Sequence, residues 1–201
     1  MAQTRNSSPL DEFLKIFYGF RDRLVSSYAA MDEAYADSAA AYGFECSGCE
    51  DSCCLTRFYH HTWAEFLFLV EGLKSVDREM ARDVFEQARI ADRMERESRN
   101  TGDPLRAMCP LNQDGLCRVY DFRPMICRLH GIPHELRKPG QDPVYGPGCK
   151  VFAGQCGHIP YVSFDRTPFY RELAALEQDV RKALGINEKI RMTIAQMVLQ
   201  V

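Results

Sequence analysis

Four of the nine cysteines in this 201-residue chain fall within nine residues, Cys46-Ser47-Gly48-Cys49-Glu50-Asp51-Ser52-Cys53-Cys54, in a C-x2-C-x3-C-C spacing. A loop that doubles back every three or four residues aims several thiolates at one point, and Gly48 permits the tight turn this requires. Thiolates crowded this closely repel one another unless a cation neutralises them or they oxidise. The spacing therefore asks for zinc or for the iron of an iron–sulfur cluster. A disulfide framework or a group of small buried thiols is the plainer alternative. The odd cysteine count, and a polar start without the apolar core of an export signal, weigh against disulfides. Cys53 and Cys54, being adjacent, cannot both reach one centre comfortably; one ligates while the other packs or serves a second centre.

Five further cysteines lie in residues 101–160. Cys109-Pro110-Leu111 leads through Asn112-Gln113-Asp114-Gly115 to Leu116-Cys117, and Asp-Gly is a strong turn signal. A strand over 116–120 leaving that turn would make a hairpin with Cys109 and Cys117 side by side. Arg123-Pro124 marks another turn or a helix start that presents Cys127.

These two constellations, in this order, resemble the YkgJ-type cysteine-cluster proteins, whose shared segment is described as a zinc- or iron-chelating domain. The likeness spans residues 46–128 and implies a metal-chelating module. It carries over Cys46, Cys49, Cys53, Cys54, Cys109, Cys117 and Cys127 as the metal-binding set, with Tyr120, Arg123, Pro124 and Arg128 matching non-cysteine positions. Cys149 and Cys156 lie beyond the shared motif. The segment is also similar to the cysteine-rich part of flagellin lysine-N-methylases, which implies, as the alternative, cluster-dependent methyl transfer to a protein lysine. Nothing in the chain reads as a strand followed by a G-x-G-x-x-G cofactor loop.

An arginine beside clustered thiolates offsets their charge and can donate hydrogen bonds to sulfur. Arg123 and Arg128 are given that supporting role, against the plainer reading of Arg123 in a structural ion pair and of Tyr120 as a packed side chain. His130 heads the histidines; His60 and His61 read more simply as exposed or hydrogen-bonded loop residues. Seven to nine thiolates exceed the four that one tetrahedral zinc takes. Two zinc sites would use them, as would one [4Fe-4S] cluster with three ligands in the first loop and a distant Cys-Pro, here Cys109-Pro110. Iron–sulfur is placed first and zinc close behind.

The elements that must hold these loops read as helices. Ser8-Pro9-Leu10-Asp11 is a capped start, and Leu10, Phe13, Phe17, Phe20, Leu24, Tyr28, Met31 and Tyr35 recur at steps of three and four, predicting one helix over 9–42 stopped by Gly43. Residues 55–59 alternate like a short strand. Thr62 and Glu65 form a capping box for a buried helix to 73, and a charged helix follows over 75–100 with Val76, Met80, Val84, Ala88, Ala91 and Met94 as its seam. Pro168 and Gly185 bracket another helix, and a last one follows Asn187. The fold class is mainly α with minor β: a single domain over 1–201, a helical scaffold around an irregular cysteine-rich insert with a few short strands, its cysteine core at 44–130 and a loop-rich extension to about 160.

A net charge of −3 and the lack of a basic run exclude a nucleic-acid funnel. The densest apolar run, residues 66–70, is too short to span a bilayer. The expected compartment is the cytoplasm, where clustered cysteines mean metal or redox chemistry. The expected partners are a metal ion or cluster and a second protein, with no nucleic acid and no membrane.

Overall fold

Ser8 caps the first helix as its neighbours require. Its hydroxyl accepts from the Asp11 N–H at 3.2 Å, and the Asp11 carboxylate accepts from the Ser8 N–H at 3.1 Å. The structure, a computed structural model, describes residues 8–46, 53–102 and 107–201. The helix expected over 9–42 is in fact two, α1 Pro9–Phe17 and α2 Arg21–Tyr42. Around Gly19 the backbone tightens: the Gly19 and Phe20 N–H groups bond the carbonyls three residues back, at 3.2 and 2.8 Å. Glycine holds a helix poorly, and such three-residue turns end one. The apolar stripe continues through the break, with Phe17, Leu24, Tyr28 and Met31 buried and Leu10, Phe13, Phe20 and Tyr35 packed against the same core.

Helix α3, Trp63–Ser75, is buried almost all round, as its composition predicts. Thr62 caps it, accepting from the Glu65 N–H at 3.2 Å. The Glu65 carboxylate accepts from the Thr62 hydroxyl and leaves the cap to reach the insert. α3 packs on α1, on α7 (Thr167–Leu184) and on α8 (Ile194–Val198). Leu67, Leu69, Leu176, Val180 and Met197 are wholly buried in the resulting core. Gly185, at φ 68°, closes α7 in the left-handed conformation that glycine adopts freely.

Helix α4, Arg78–Thr101, starts three residues past the expected Ser75, because Asp77 caps it, accepting from the Met80 N–H at 2.8 Å. Its seam also differs. Met94 is exposed, while Asp92 and Glu95 are buried against α8. Glu95 accepts from the Thr193 hydroxyl at 2.9 Å, and Asp92 from the Gln196 amide at 3.3 Å and from Arg96, its i,i+4 partner. Two acids of the charged face are therefore docking groups. α8 begins at Ile194, where Thr193 and Gln196 form a capping box, and not just after Asn187.

No strand forms over 55–59. A 3-10 turn covers Cys53–Leu55, and the chain then forms a single bridge with the C-terminal segment at His60, which pairs antiparallel with Met192. The insert holds two antiparallel ribbons, β1 Asn112–Gln113 with β2 Leu116–Cys117 and β3 His134–Leu136 with β4 Val144–Gly146. Its helices are α5 Met125–Leu129 and α6 Lys150–Cys156. The strand expected to reach 120 stops at Cys117, and a 3-10 turn takes over at Tyr120–Phe122. Among the described residues helix accounts for 59% and strand for 7%, a mainly α fold with a minor β part. Among the described residues, no helix is long and apolar enough to cross a membrane.

Candidate metal centre

Most described cysteines of the site are carried by a locally explicable element. Gly43, at φ 63°, ends α2 and turns the chain through Phe44 to Cys46. Phe44 is anchored on Phe152 of α6, ring centres 5.3 Å apart, and Tyr42 meets the same ring at 4.8 Å. Cys149 is the N-cap of α6, its sulfur accepting from the Phe152 N–H at 3.4 Å. The 3-10 turn presents Cys53 and Cys54. The β1–β2 hairpin places Cys117 opposite Asn112, and α5 carries Cys127. Cys49 lies outside the described residues.

The two constellations meet at Cys54. Its carbonyl accepts from the Cys109 N–H at 2.8 Å, which ties the first loop to the second. The thiols of Cys53 and Cys109 are both hydrogen-bonded to the Cys54 side chain, and this contact, with burial, pushes each well above the ordinary thiol range. Burial raises Cys117, with the Cys54 charge adding to it. Burial likewise pushes Cys127 up to about 12, helped by Cys117, Cys54 and the carboxylate of Glu65. On the far side, burial lifts Tyr35 to about 12, and the charges of Cys46, Cys149 and Cys53 act in the same direction. The charge of Cys54 thus acts on Cys53, Cys109, Cys117 and Cys127, and that of Cys46 on Cys53.

The arginines surround this set in different ways. Arg123 stacks on the exposed Tyr120 ring, its guanidinium carbon 3.4 Å from the ring centre, and Nε donates to the Tyr120 carbonyl at 3.0 Å. Arg128 is buried over the Tyr28 ring at 4.2 Å. It pairs with Asp32 at 2.6 Å and donates to the carbonyls of Arg123, at 2.8 Å, and Asp121. These bonds run to oxygen, so Arg128 fixes the turn before Cys127 and acts on sulfur through charge, as does Arg123: both favour the thiolate of Cys117. From α3, Glu65 accepts from the Met125 N–H at 2.9 Å, capping the helix that bears Cys127. His130 lies edge-on to Phe58 at 5.3 Å and is held neutral, first by burial and then by Arg166. His60 is buried away in its bridge to Met192.

Among the described residues, no three His, Cys, Asp or Glu side chains already stand in a geometry that would hold a metal ion. No disulfide joins the eight described cysteines. Cys156 is buried, its thiol donating to the Tyr42 carbonyl at 3.4 Å, apart from the set. Cys149, Glu65, Asp32 and Tyr35 belong to the site's surroundings by folding alone, since no spacing in the chain points to them. Compared with family models, with curated proteins and with solved structures, the chain finds no match.

Proposed function

We propose that the chain is a metal-binding cysteine-cluster protein of the YkgJ type, whose iron–sulfur or zinc centre holds the insert together and supports contact with another protein. The observation that carries this reading is the meeting of two cysteine loops at Cys54, whose carbonyl accepts from the N–H of Cys109, 55 residues further on, where burial and mutual contact push the thiols of Cys53 and Cys109 up. Soft divalent metal or an iron–sulfur cluster displaces thiol protons and relieves the crowding. The donor set suits such a centre: Cys46, Cys49, Cys53, Cys54, Cys109, Cys117 and Cys127, joined through position by Cys149. A bound centre would supply fixed positive charge and a crosslink between the loops. Arg123 and Arg128 temper the thiolate charge, and Glu65 and Asp32 hold the segment that bears Cys127. The partners in this reading are a metal ion or cluster and a second protein, without nucleic acid or membrane, and the compartment is the cytoplasm.

Elemental analysis and a UV–visible spectrum of protein purified without oxygen test it. Iron with acid-labile sulfide and broad absorption near ~400 nm would identify a cluster, and stoichiometric zinc without colour a zinc centre. Protein that carries neither, and takes up neither after reduction, would refute the reading. A saturable change of the metal spectrum on adding S-adenosylmethionine would move the protein to the methyl-transfer class.

A further inference from the structure

The last two turns of α7 and the segment after them border an open groove of about 470 Å3, lined by Gln178, Arg181, Lys182, Gly185, Ile186 and Asn187. Residue spacing explains its shape. Positions 178, 181, 182 and 185 stand three and four apart and make one stripe of the helix. Gly185, left-handed at φ 68°, then turns the chain so that Asn187 comes back beside that stripe. Nη2 of Arg181 donates to the Asn187 carbonyl and fixes the return.

The lining holds two cations and two side-chain amides and no carboxylate. Other arginines are matched: Arg21, Arg23, Arg96, Arg118, Arg128 and Arg137 each hold an acid. Among the described residues, neither Arg181 nor Lys182 is in an ion pair, and Nε of Arg181 has no acceptor. The acids of α7 are engaged elsewhere. Glu172 and Asp179 hold Arg23 at 2.7 and 2.6 Å. Glu177, one turn before Arg181, accepts from the Ala64 N–H at 3.2 Å as a cap on α3, and meets Arg181 only through charge. Cations at a helix end ordinarily serve its free carbonyls. Here the Gly185 and Ile186 N–H groups already bond the Lys182 and Arg181 carbonyls, at 3.3 and 3.0 Å. The groove is thus left with positive charge that the fold does not balance.

We propose that this groove binds the phosphate group of a small phosphorylated molecule, with Arg181 and Lys182 supplying charge and the Gln178 and Asn187 amides further donors. A guanidinium offers a planar fork to two oxygens at once, and an ammonium adds a compact point charge on a flexible stem. A phosphate dianion gains from both, whereas a carboxylate carries half the charge. Pockets for small ligands begin at about 300 Å3, so the groove has room for the group that bears the phosphate. No cysteine lines it, and its occupation does not require the metal centre.

The test follows amide chemical shifts of the protein as purified while inorganic phosphate, phenyl phosphate or acetate is added at constant ionic strength. Wild type is compared with Arg181→Gln, Lys182→Gln and Arg171→Gln, the last removing an exposed charge of α7 that lies outside the groove. Both phosphates should shift the Gly185 and Asn187 amides saturably, and acetate should move neither. Arg181→Gln should weaken phosphate binding about ten-fold and Lys182→Gln about three-fold, with Arg171→Gln unchanged. Thermal midpoints check each variant. Lys182 is exposed, so its replacement stays readable even where Arg181→Gln unfolds the turn. A wild type without saturable shifts at these amides would overturn the proposal. So would equal weakening in all three variants, the mark of diffuse charge attraction, acetate binding as tight as phosphate, or exclusion of phenyl phosphate.

Discussion

Helix α3 buries Leu67, Leu69 and Val70 completely and packs on three other helices, whereas residues 107–160 add to a smaller apolar share, Leu129 and Ile132 among it, a set of polar anchors from the helices. Glu65 accepts from the Met125 N–H, Asp32 pairs with Arg128 and Asp83 with Arg118 at 2.5 Å, each helix lending one acid to the insert. Apolar packing is non-directional and tolerant, and contributes on the order of 25 cal/mol per Å2 whatever the solvent charge. Polar anchoring needs complete partners and a balanced charge. The difference teaches that one part of the molecule should keep its order through changes of metal and charge that the other does not survive.

The largest expected effect is therefore metal removal. Chelation under reducing conditions should strip amide-exchange protection from residues 107–136 and the turn after Cys53, while α3 and α7 keep theirs. Structural metal sites carry apparent binding energies of about 10 kcal/mol, ample for this contrast. Equal protection in both regions with and without metal would remove the distinction. Next comes a break on the scaffold side. Leu176→Ala leaves a cavity at a wholly buried position and should cost about 3 kcal/mol in denaturant unfolding of α3 and α7, by the same amount in metal-free and metal-loaded protein.

A pH effect sharpens the comparison, because His60 joins the scaffold's edge to the C-terminal segment without a metal. Burial holds it neutral in the fold, at about 4 against an ordinary 6.5. The unfolded chain takes up that proton and the folded chain does not, so the stability it contributes is complete above pH 6.5 and lost as pH falls towards 4. The loss should approach about 3 kcal/mol, read as a lower urea midpoint, and His60→Gln should flatten that slope. A slope unchanged in His60→Gln would assign it to other groups. A smaller effect is expected where the two regions touch. A Cβ at Gly72 of α3 would stand 2.5 Å from Cγ of Phe122, so Gly72→Ala must push the insert away. It should cost about 2 kcal/mol and raise proteolysis of the insert more than that of the helices.

What was legible in the chain follows the same division. Ser8, Pro9, Gly43, Thr62 and Gly185 act on neighbours a few residues away, so the start and stop of most helices could be read directly. Gly19 could not be read as a break, because the apolar stripe continues through it. The burial of Asp92 and Glu95 depends on Thr193 and Gln196, about a hundred residues away. The alternation at 55–59 resembled a strand but met only a single bridge at His60. Spacing brought out the first cysteine loop, and the resemblance to YkgJ-type proteins carried over the full set as an expectation. The meeting of the two loops at Cys54, and the approach of Cys149 and Glu65, arise only once α5, α6 and the turn at Gly131 are in place.

The most direct test of the central claim is the metal content of Cys54→Ser against Cys156→Ser, both purified without oxygen. Cys54 sits where the loops meet, and a hydroxyl is a poor ligand for soft metal, whereas Cys156 only donates to the Tyr42 carbonyl in the core. Cys54→Ser should lose most of the bound metal and the order of residues 107–136; Cys156→Ser should keep both and lose about 1 kcal/mol of stability at most. Full metal in Cys54→Ser, or its loss in Cys156→Ser alone, would contradict the account.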